Sequence, residues 1–476
     1  MAATVAGTVD ALRSTADALG PRLVVAGTHS GVGKTTVATG LMAALRRAGH
    51  RPTPAKVGPD FIDPGYHALA SGRPPRNLDA WMCGPEAMVP LAARAGAGGD
   101  VLVVEGVMGL FDGAADGTPS ATADVAKALE APVLLVVDAG AMSGSVAALV
   151  SGFARFDPAL RVAGVILNRV GSDGHEALLR DALAPLGLPV LGALRHDDRL
   201  TWRDRHLGLV PVAERPGDVA AALHHLAAAV AERVDLDAVV RLARRAPTRP
   251  TTAPALPPPV VPARLTVTVA VAAGRAFTFT YTDTLDALAA AGLEVVPFDP
   301  GRDTGLPAGV TGLIAGGGFP EVHAAELAAN EPLLADVRRR VADGLPTWAE
   351  CGGLLWLCRT LDGRPMVGAV PADGRMTDRL TLGYRTAAAV QDSPVVAAGA
   401  TLRGHEFHYS TVDPAGDALR LSSRWGEGSD GFAGPNLLAT FLHVHPGGDP
   451  TPVTRFARAC AAHAARSARS GGPANG

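Results

Sequence analysis

Cys351 stands in Ala349-Glu350-Cys351-Gly352-Gly353, directly after the run Pro346-Thr347-Trp348. A strand that ends in a cysteine and continues into paired glycines has the form of a nucleophile elbow. The turn lifts the side chain to the tip of a sheet, and the glycines let the backbone bend sharply beneath it. Backbone N–H groups beside such a turn can take up the charge of a tetrahedral oxyanion. Gly352 offers one, and Gly317 and Gly318 in Ala315-Gly316-Gly317-Gly318-Phe319-Pro320-Glu321 offer others. The thiol also needs a base to hold its thiolate. Thr440-Phe441-Leu442-His443-Val444-His445 supplies two histidines. On a strand they point the same way, so spacing does not choose between them.

A second chemistry opens the chain. Val24-Val25-Ala26-Gly27-Thr28-His29-Ser30-Gly31-Val32-Gly33-Lys34-Thr35-Thr36 reads as a strand, a glycine-rich loop and a helix start. Loop N–H groups around Gly31 and Gly33 can converge on phosphate oxygens, with the helix dipole behind them at Thr36. Lys34 would reach the β- and γ-phosphates of a nucleotide such as ATP, and the Thr35 hydroxyl would ligate Mg²⁺. The first glycine falls at position 27, with Thr28 where the strict spacing has glycine. That shift resembles the dethiobiotin-synthetase-like branch of phosphate-loop proteins. Acidic partners for the metal are Glu105, which ends the run Val101–Val104, and Asp60 and Asp63 in Lys56-Val57-Gly58-Pro59-Asp60-Phe61-Ile62-Asp63. A carboxylate at the C-terminal end of a central strand points where open α/β sheets bind ligands. For the two aspartates a solvated turn is the competing reading. Asn168, after Val165-Ile166-Leu167, either reads adenine through its amide or simply ends a strand.

These residues need sheets to position them. Apolar runs at Leu23–Ala26, Val101–Val104, Val133–Val137 and Val162–Leu167 read as buried parallel strands, with helical stretches at Thr36–Ala48 and Asp218–Val230. The alternation predicts a doubly wound parallel α/β sheet over residues 21–244. Residues 245–263 are dense in proline and read as an extended linker. A second α/β domain is expected over 264–465, with strands at Val267–Val271, Leu293–Pro297, Gly312–Ala315 and Thr347–Ala349 and a helix at Thr284–Ala291 capped by Gly292. Residues 1–20 read as an N-terminal arm and 466–476 as a disordered tail.

A chain of 476 residues with 47% hydrophobic residues supports two full cores. The net charge of −3 points to neither nucleic acid nor an acidic tail. No apolar stretch of roughly 18 residues calls for a membrane span, and the first twenty residues lack signal-peptide order. Cys83, Cys358 and Cys460 have no metal or disulfide spacing and read as small buried hydrophobes. A working thiol places the protein in the cytoplasm. Gly404-His405-Glu406-Phe407-His408-Tyr409 brings two histidines and a glutamate together without the helical spacing of zincins, and its aromatics fit a strand.

Taken together, these motifs resemble the cobyrinate or hydrogenobyrinate a,c-diamide synthase family. The resemblance is carried by residues 27–36, 56–64, 72–82 (Gly-Arg-Pro-Pro-Arg-Asn-Leu-Asp-Ala-Trp-Met), 105–113, 205–209, 316–321, 349–353 and 404–410. It implies an ATP-dependent amidoligase domain joined to a class I glutamine amidotransferase-like domain without the full triad. It implies that Cys351 releases ammonia from glutamine, and that ATP–Mg²⁺ turns a corrinoid carboxylate into an acyl phosphate that ammonia displaces. Residue by residue, it gives Lys34 and Thr35 to phosphate and Mg²⁺, and Asp60 and Glu105 to the metal's surroundings. It makes Cys351 the nucleophile and His443 its base. Where class I glutaminases carry a glutamate two residues after that histidine, this chain has His445, so the group that orients His443 is open. Arg275 and Thr280 also depart from the family pattern. Asp63, Arg73, Arg76, Arg203 and Arg205, in or beside matching loops, are candidates for the substrate's carboxylate-rich surroundings, with ordinary surface arginines the competing reading. The resemblance also suggests a homodimer. A related amidotransferase acting on a nickel tetrapyrrole or on other corrinoid side chains is the alternative function.

Overall fold

The computed structural model describes residues 18–114, 116–197, 204–205, 208–209, 212, 216–251, 256–262 and 265–470. These divide into two compact units, with the boundary at residue 254.

In the first unit, β1 (Arg22–Gly27), β2 (Pro52–Val57), β3 (Arg76–Leu78), β4 (Val101–Glu105), β5 (Val133–Asp138), β6 (Val162–Val170) and β7 (Val190–Arg195) form one parallel sheet in the order β3-β2-β4-β1-β5-β6-β7. β1 and β4 are buried along their whole length. That burial is why they read as unbroken Val/Leu runs instead of alternating ones. The chain leaves β1 toward β4 and β2 on one side and toward β5 on the other, so a ligand crevice falls at the C-terminal end of β1. There the loop ends at Gly33, whose φ of 95° suits glycine, and α1 (Lys34–Arg47) begins. α1 buries Val37, Leu41, Met42 and Leu45. α2 (Asp63–Ser71) follows β2, and α3 (Pro216–Arg233) lies against α1 at Gly40, where Leu226 and Val230 close in on the helix backbone.

In the second unit, β8 (Thr268–Ala272), β9 (Glu294–Phe298), β10 (Val310–Ala315) and β11 (Thr347–Glu350) are parallel, and α4 (Thr282–Ala290) lies between β8 and β9 in sequence. β11 runs through Cys351 into α5 (Gly352–Leu357). A long antiparallel hairpin follows, β12 (Asp373–Ala389) and β13 (Thr401–Asp413). After Leu419–Ser423 and Gly426–Asp430, two strands added to the hairpin, come β14 (Phe432–Gly434), β15 (Leu437–Thr440), β16 (His443–Val444) and α6 (Thr451–Ser470). The main sheet runs β9-β8-β10-β11-β15-β14, while β16 joins β13 in the hairpin sheet. One core centres on Trp356, which is fully buried with Phe277 at 5.4 Å between ring centres. On the other side of the sheet, Val453, Phe456, Ala457 and Cys460 of α6 pack against Val269, Ile314 and Trp348.

Three boundaries differ from the sequence expectation. Ala18–Leu19, at the end of the expected arm, pairs antiparallel with Arg249–Pro250 in the expected linker. Leu19, 1% exposed, gains burial by doing so. Further along that linker, the Val260 and Val261 N–H groups donate to the Ala291 carbonyl (2.9 and 3.3 Å). Residues 466–470, expected as disordered, extend α6, whose apolar side continues through the buried Ala464. Residues 1–17 and 471–476 lie outside the described residues.

Candidate active sites

The first unit gathers its chemistry at the C-terminal ends of β1, β2 and β4. Thr35, one residue into α1, donates its hydroxyl to Glu105 Oε1 (2.7 Å) and to Asp63 Oδ2 (3.2 Å). Lys56, at the end of β2, donates to the same two carboxylates (2.8 and 2.6 Å). Burial alone would lower the Lys56 pKa, but Asp63, Glu105 and Asp60 outweigh it and raise it. Burial would likewise raise the Glu105 pKa. Lys56 and His67 outweigh it, and the carboxyl is held well below its usual range. His67 of α2, wholly buried, meets Glu105 Oε2 at 2.6 Å. It fixes the far side of the carboxylate whose other oxygen faces Thr35.

Asp60 lies at the rim of this cluster. Its Oδ1 accepts the N–H groups of Ile62 (2.8 Å) and Asp63 (3.2 Å), ordering the turn into α2, and its Oδ2 is 3.7 Å from Lys56. Burial and then the neighbouring Asp63 charge push its carboxyl up to about 7. Asp63, offered by the sequence both as an acidic partner for the metal and as a substrate contact, lies in the Thr35–Glu105 cluster, because it opens α2 facing Lys56. Hydroxyl and carboxylate oxygens beside a phosphate loop are the donor set Mg²⁺ takes, with nucleotide phosphates supplying the rest. Among the described residues no group of three or more His, Cys, Asp or Glu side chains is spaced to hold a metal alone.

The loop itself is braced from β6. Asn168 donates its amide to the Val32 carbonyl (2.9 Å), and its Nδ2 is 2.2 Å from where a Gly33 Cβ would lie. The Asn168 amide, open to adenine contact or to a simple strand end from sequence, is thus engaged with the loop. Arg169, which the sequence reading passed over, donates to the Gly31 carbonyl (3.0 Å) and pairs with Asp138. Lys34 is buried and donates to the His29 carbonyl (3.1 Å). Burial and then repulsion from Lys56 push its ammonium down to about 8. Thr36 sits in the first turn of α1.

The arginine candidates fare unevenly. Arg73 fastens a surface loop through the carbonyls of Ala97 (3.2 Å) and Gly98 (2.6 Å), which removes it from the substrate candidates. Arg76 is buried within β3. Arg205 lies in the two-residue strand Asp204–Arg205, and Arg203 falls outside the described residues.

In the second unit, Cys351 adopts φ 49° and ψ −103° between β11 and α5. This is a left-handed conformation that a non-glycine residue holds only when its surroundings impose it. The Cys351 N–H donates to the Thr440 carbonyl of β15 (2.8 Å), which anchors the turn. Cys351 is 5% exposed, with His443 beside it. On its other edge, His443 Nδ1 meets Glu350 Oε2 at 3.2 Å. Burial alone would lower the His443 pKa, but the neighbouring Cys351 and Glu350 outweigh it and push it up to about 10. A cationic imidazole beside a cysteine favours the thiolate, the nucleophilic form.

Of the three expected oxyanion donors, Gly318 and Gly352 adjoin each other: a Gly352 Cβ would lie 3.0 Å from the Gly318 nitrogen. Among the described residues, no acceptor takes either N–H. Gly317 is different. Its N–H donates to the Phe279 carbonyl (3.1 Å) in a two-way bridge, and its α-carbon backs onto the His443 ring.

His445 does not share His443's side as strand alternation would have it, because β16 ends at Val444. Its ring meets Tyr281 (4.6 Å between centres) and lies 3.7 Å from Asp283. In the Gly404–Tyr409 motif, Glu406 pairs with Arg385 (2.7 Å), while His408 stacks on Phe441 with ring centres 3.9 Å apart.

Comparison with known proteins adds two domain matches and several full-length ones. Residues 23–210 match the CobQ/CobB/MinD/ParA nucleotide binding domain, and residues 268–451 the CobB/CobQ-like glutamine amidotransferase domain. A hydrogenobyrinate a,c-diamide synthase of Streptomyces coelicolor is 50% identical, covering 92% of this chain and 97% of that protein. One of Thermobifida fusca is 49% identical over 92% and 96% of the two chains. A cobyrinate a,c-diamide synthase of Synechococcus sp. is 41% identical over 92% and 98%.

Proposed function

The chain belongs to the hydrogenobyrinate/cobyrinate a,c-diamide synthase family, and on that premise we propose that it amidates the a and c carboxylates of a corrinoid with glutamine nitrogen and ATP. Relatives named for hydrogenobyrinate stand at 47–50% identity and those named for cobyrinate at 38–41%, which favours the metal-free ring as substrate. The observation that carries the reading is the strained Cys351 turn with His443 beside it, in a chain whose other unit holds the phosphate loop. A reduced thiol fits a cytoplasmic setting.

In the glutaminase half, Cys351 Sγ attacks the side-chain amide carbon of glutamine. The resulting oxyanion lies toward the Gly318 and Gly352 N–H groups. Collapse breaks the C–N bond, with a proton from His443 leaving on ammonia, and a thioester remains. Water, deprotonated by His443, then releases glutamate and restores the thiol. In the other half, a corrinoid carboxylate oxygen attacks the γ-phosphorus of ATP to give an acyl phosphate and ADP. Ammonia adds to the acyl carbon, loses a proton and expels inorganic phosphate. Lys34 holds the phosphates, and Thr35 and Glu105, with Asp63 and Asp60 beside them, would hold Mg²⁺. When bound, that ion neutralises charge on the transferring phosphate. Lys56 pairs with the Asp63 and Glu105 carboxylates and balances their charge.

Two variants assayed for amide formation test this. Cys351→Ala should abolish glutamine-dependent amidation and keep ammonia-dependent amidation. Lys34→Ala should abolish both and leave glutamine hydrolysis. Loss of both activities in Cys351→Ala would sink the two-site scheme. Feeding purified hydrogenobyrinate and cobyrinate side by side tests the choice of ring.

A further inference from the structure

We infer that Glu350 is the positioning residue for His443, so that this chain takes the acid of its acid–base–nucleophile set from the position immediately before the nucleophile. The position two residues after His443 is occupied by His445, whose Nδ1 accepts the Gly447 N–H (3.0 Å) and whose ring faces Asp283 and Tyr281. That side chain is committed elsewhere.

Glu350 has the geometry His445 lacks. Its Oε2 lies 3.2 Å from His443 Nδ1, and its Oε1 lies 3.4 Å from the Val444 N–H. One carboxylate therefore touches both the imidazole and the backbone that carries it. Both side chains are largely withdrawn from water, with Glu350 13% and His443 2% exposed. A carboxylate only accepts, so Nδ1 carries one proton, and in the cationic ring Nε2 carries the other, left for the thiolate. On a regular strand, Glu350 and Cys351 would point to opposite faces. The left-handed turn at Cys351 breaks that alternation and lets two consecutive side chains reach the same ring. Register brings the ring to them: Glu350 pairs with Thr440 at the end of β15, three residues before His443.

One more titratable group adjoins His443 from a packed element. His405 of β13 is its cross-strand partner. Burial and then the His443 charge push His405 down to about 3, so it stays neutral and does not compete for the carboxylate.

The inference rests on the glutaminase reading, and the experiment separates the two. Glu350→Gln, Glu350→Asp and Cys351→Ala are made in the full chain. Glutamine hydrolysis, ammonia-dependent amidation and the pH dependence of Cys351 alkylation by iodoacetamide are measured. Glu350→Gln keeps the size but accepts more weakly. It should lower kcat for glutamine hydrolysis by about 10²-fold, leave ammonia-dependent amidation intact, and shift the alkylation profile to higher pH. Glu350→Asp should recover at least part of the loss. A purely structural role would not move the alkylation profile of a folded chain. If Glu350→Gln hydrolyses glutamine within about threefold of the parent with an unshifted profile, while Cys351→Ala is dead, the positioning role is overturned and the glutaminase stands. The same holds if Glu350→Asp is no better than Glu350→Gln. If Cys351→Ala still hydrolyses glutamine, the underlying reading falls as well.

Discussion

Gly317 offers a sensitive probe of the glutaminase geometry. Its N–H is engaged with Phe279, so its place in the site is defined by what its α-carbon touches. A methyl group built there would lie 2.6 Å from His443 Cε1, 3.2 Å from His443 Nε2 and 3.2 Å from Phe279 Cβ. Carbon–carbon contacts are comfortable at about 3.5–4.0 Å, so Gly317→Ala must drive the imidazole back by about 1 Å. Gly317 is not among the positive-φ glycines, so alanine meets no forbidden backbone. The effect is displacement of the base. A misplacement of about 1 Å can cost about 10²-fold in rate, equivalent to about 2.7 kcal/mol of barrier. We therefore expect kcat for glutamine hydrolysis to fall by about two orders of magnitude. Ammonia-dependent amidation, which needs only the other unit's chemistry, should remain at the parent level. Steady-state glutamate release, read beside amidation driven by ammonium chloride, measures both. Hydrolysis within threefold of the parent would refute the placement of His443 as the base against Gly317.

Two further outcomes are expected. In Gly40→Ala, a Cβ would sit 2.6 Å from Val230 Cγ2 and 3.0 Å from Leu226 Cγ. Overpacking of about 1–3 kcal/mol exceeds the roughly 0.5–1 kcal/mol that alanine gains over glycine in a helix, so thermal unfolding of the nucleotide-binding unit should move to lower temperature; an unchanged or higher Tm contradicts the packing of α1 on α3. His443, raised to about 10 from an ordinary value near 6.5, should contribute stability that is complete below pH 6.5 and lost as pH climbs through 10. Denaturant midpoints at pH 6, 8 and 10 should fall more steeply for the parent than for His443→Asn, and parallel curves would exclude a charged His443.

What the sequence could show was local. A phosphate loop between β1 and α1, and a cysteine between β11 and α5, are strand–turn–helix units whose conformation follows from a dozen consecutive residues. Glycine and cysteine at fixed offsets announce them, and the buried strands announced themselves as apolar runs. Loop ends and partners were less legible. Of the long β12–β13 hairpin only the stretch around Phe407 and Tyr409 showed as strand; β12 went unread because the exposed Arg379 and the half-buried Thr381 and Arg385 carry little strand signal. Arg73 could be read as a substrate contact or as a surface arginine, and only its bonds to the Ala97 and Gly98 carbonyls favour the second.

The sequence by itself therefore determined which two chemistries this protein carries, because each nucleophile or phosphate binder is held by its own neighbours in the chain. Only the tertiary structure decided what tunes them. His67 reaches Glu105 across 38 residues, Glu350 reaches His443 across 93 and Asn168 reaches Val32 across 136. Those pairings are set by strand order and register, which depend on how whole sheets bury their faces and leave no mark in any short stretch of sequence.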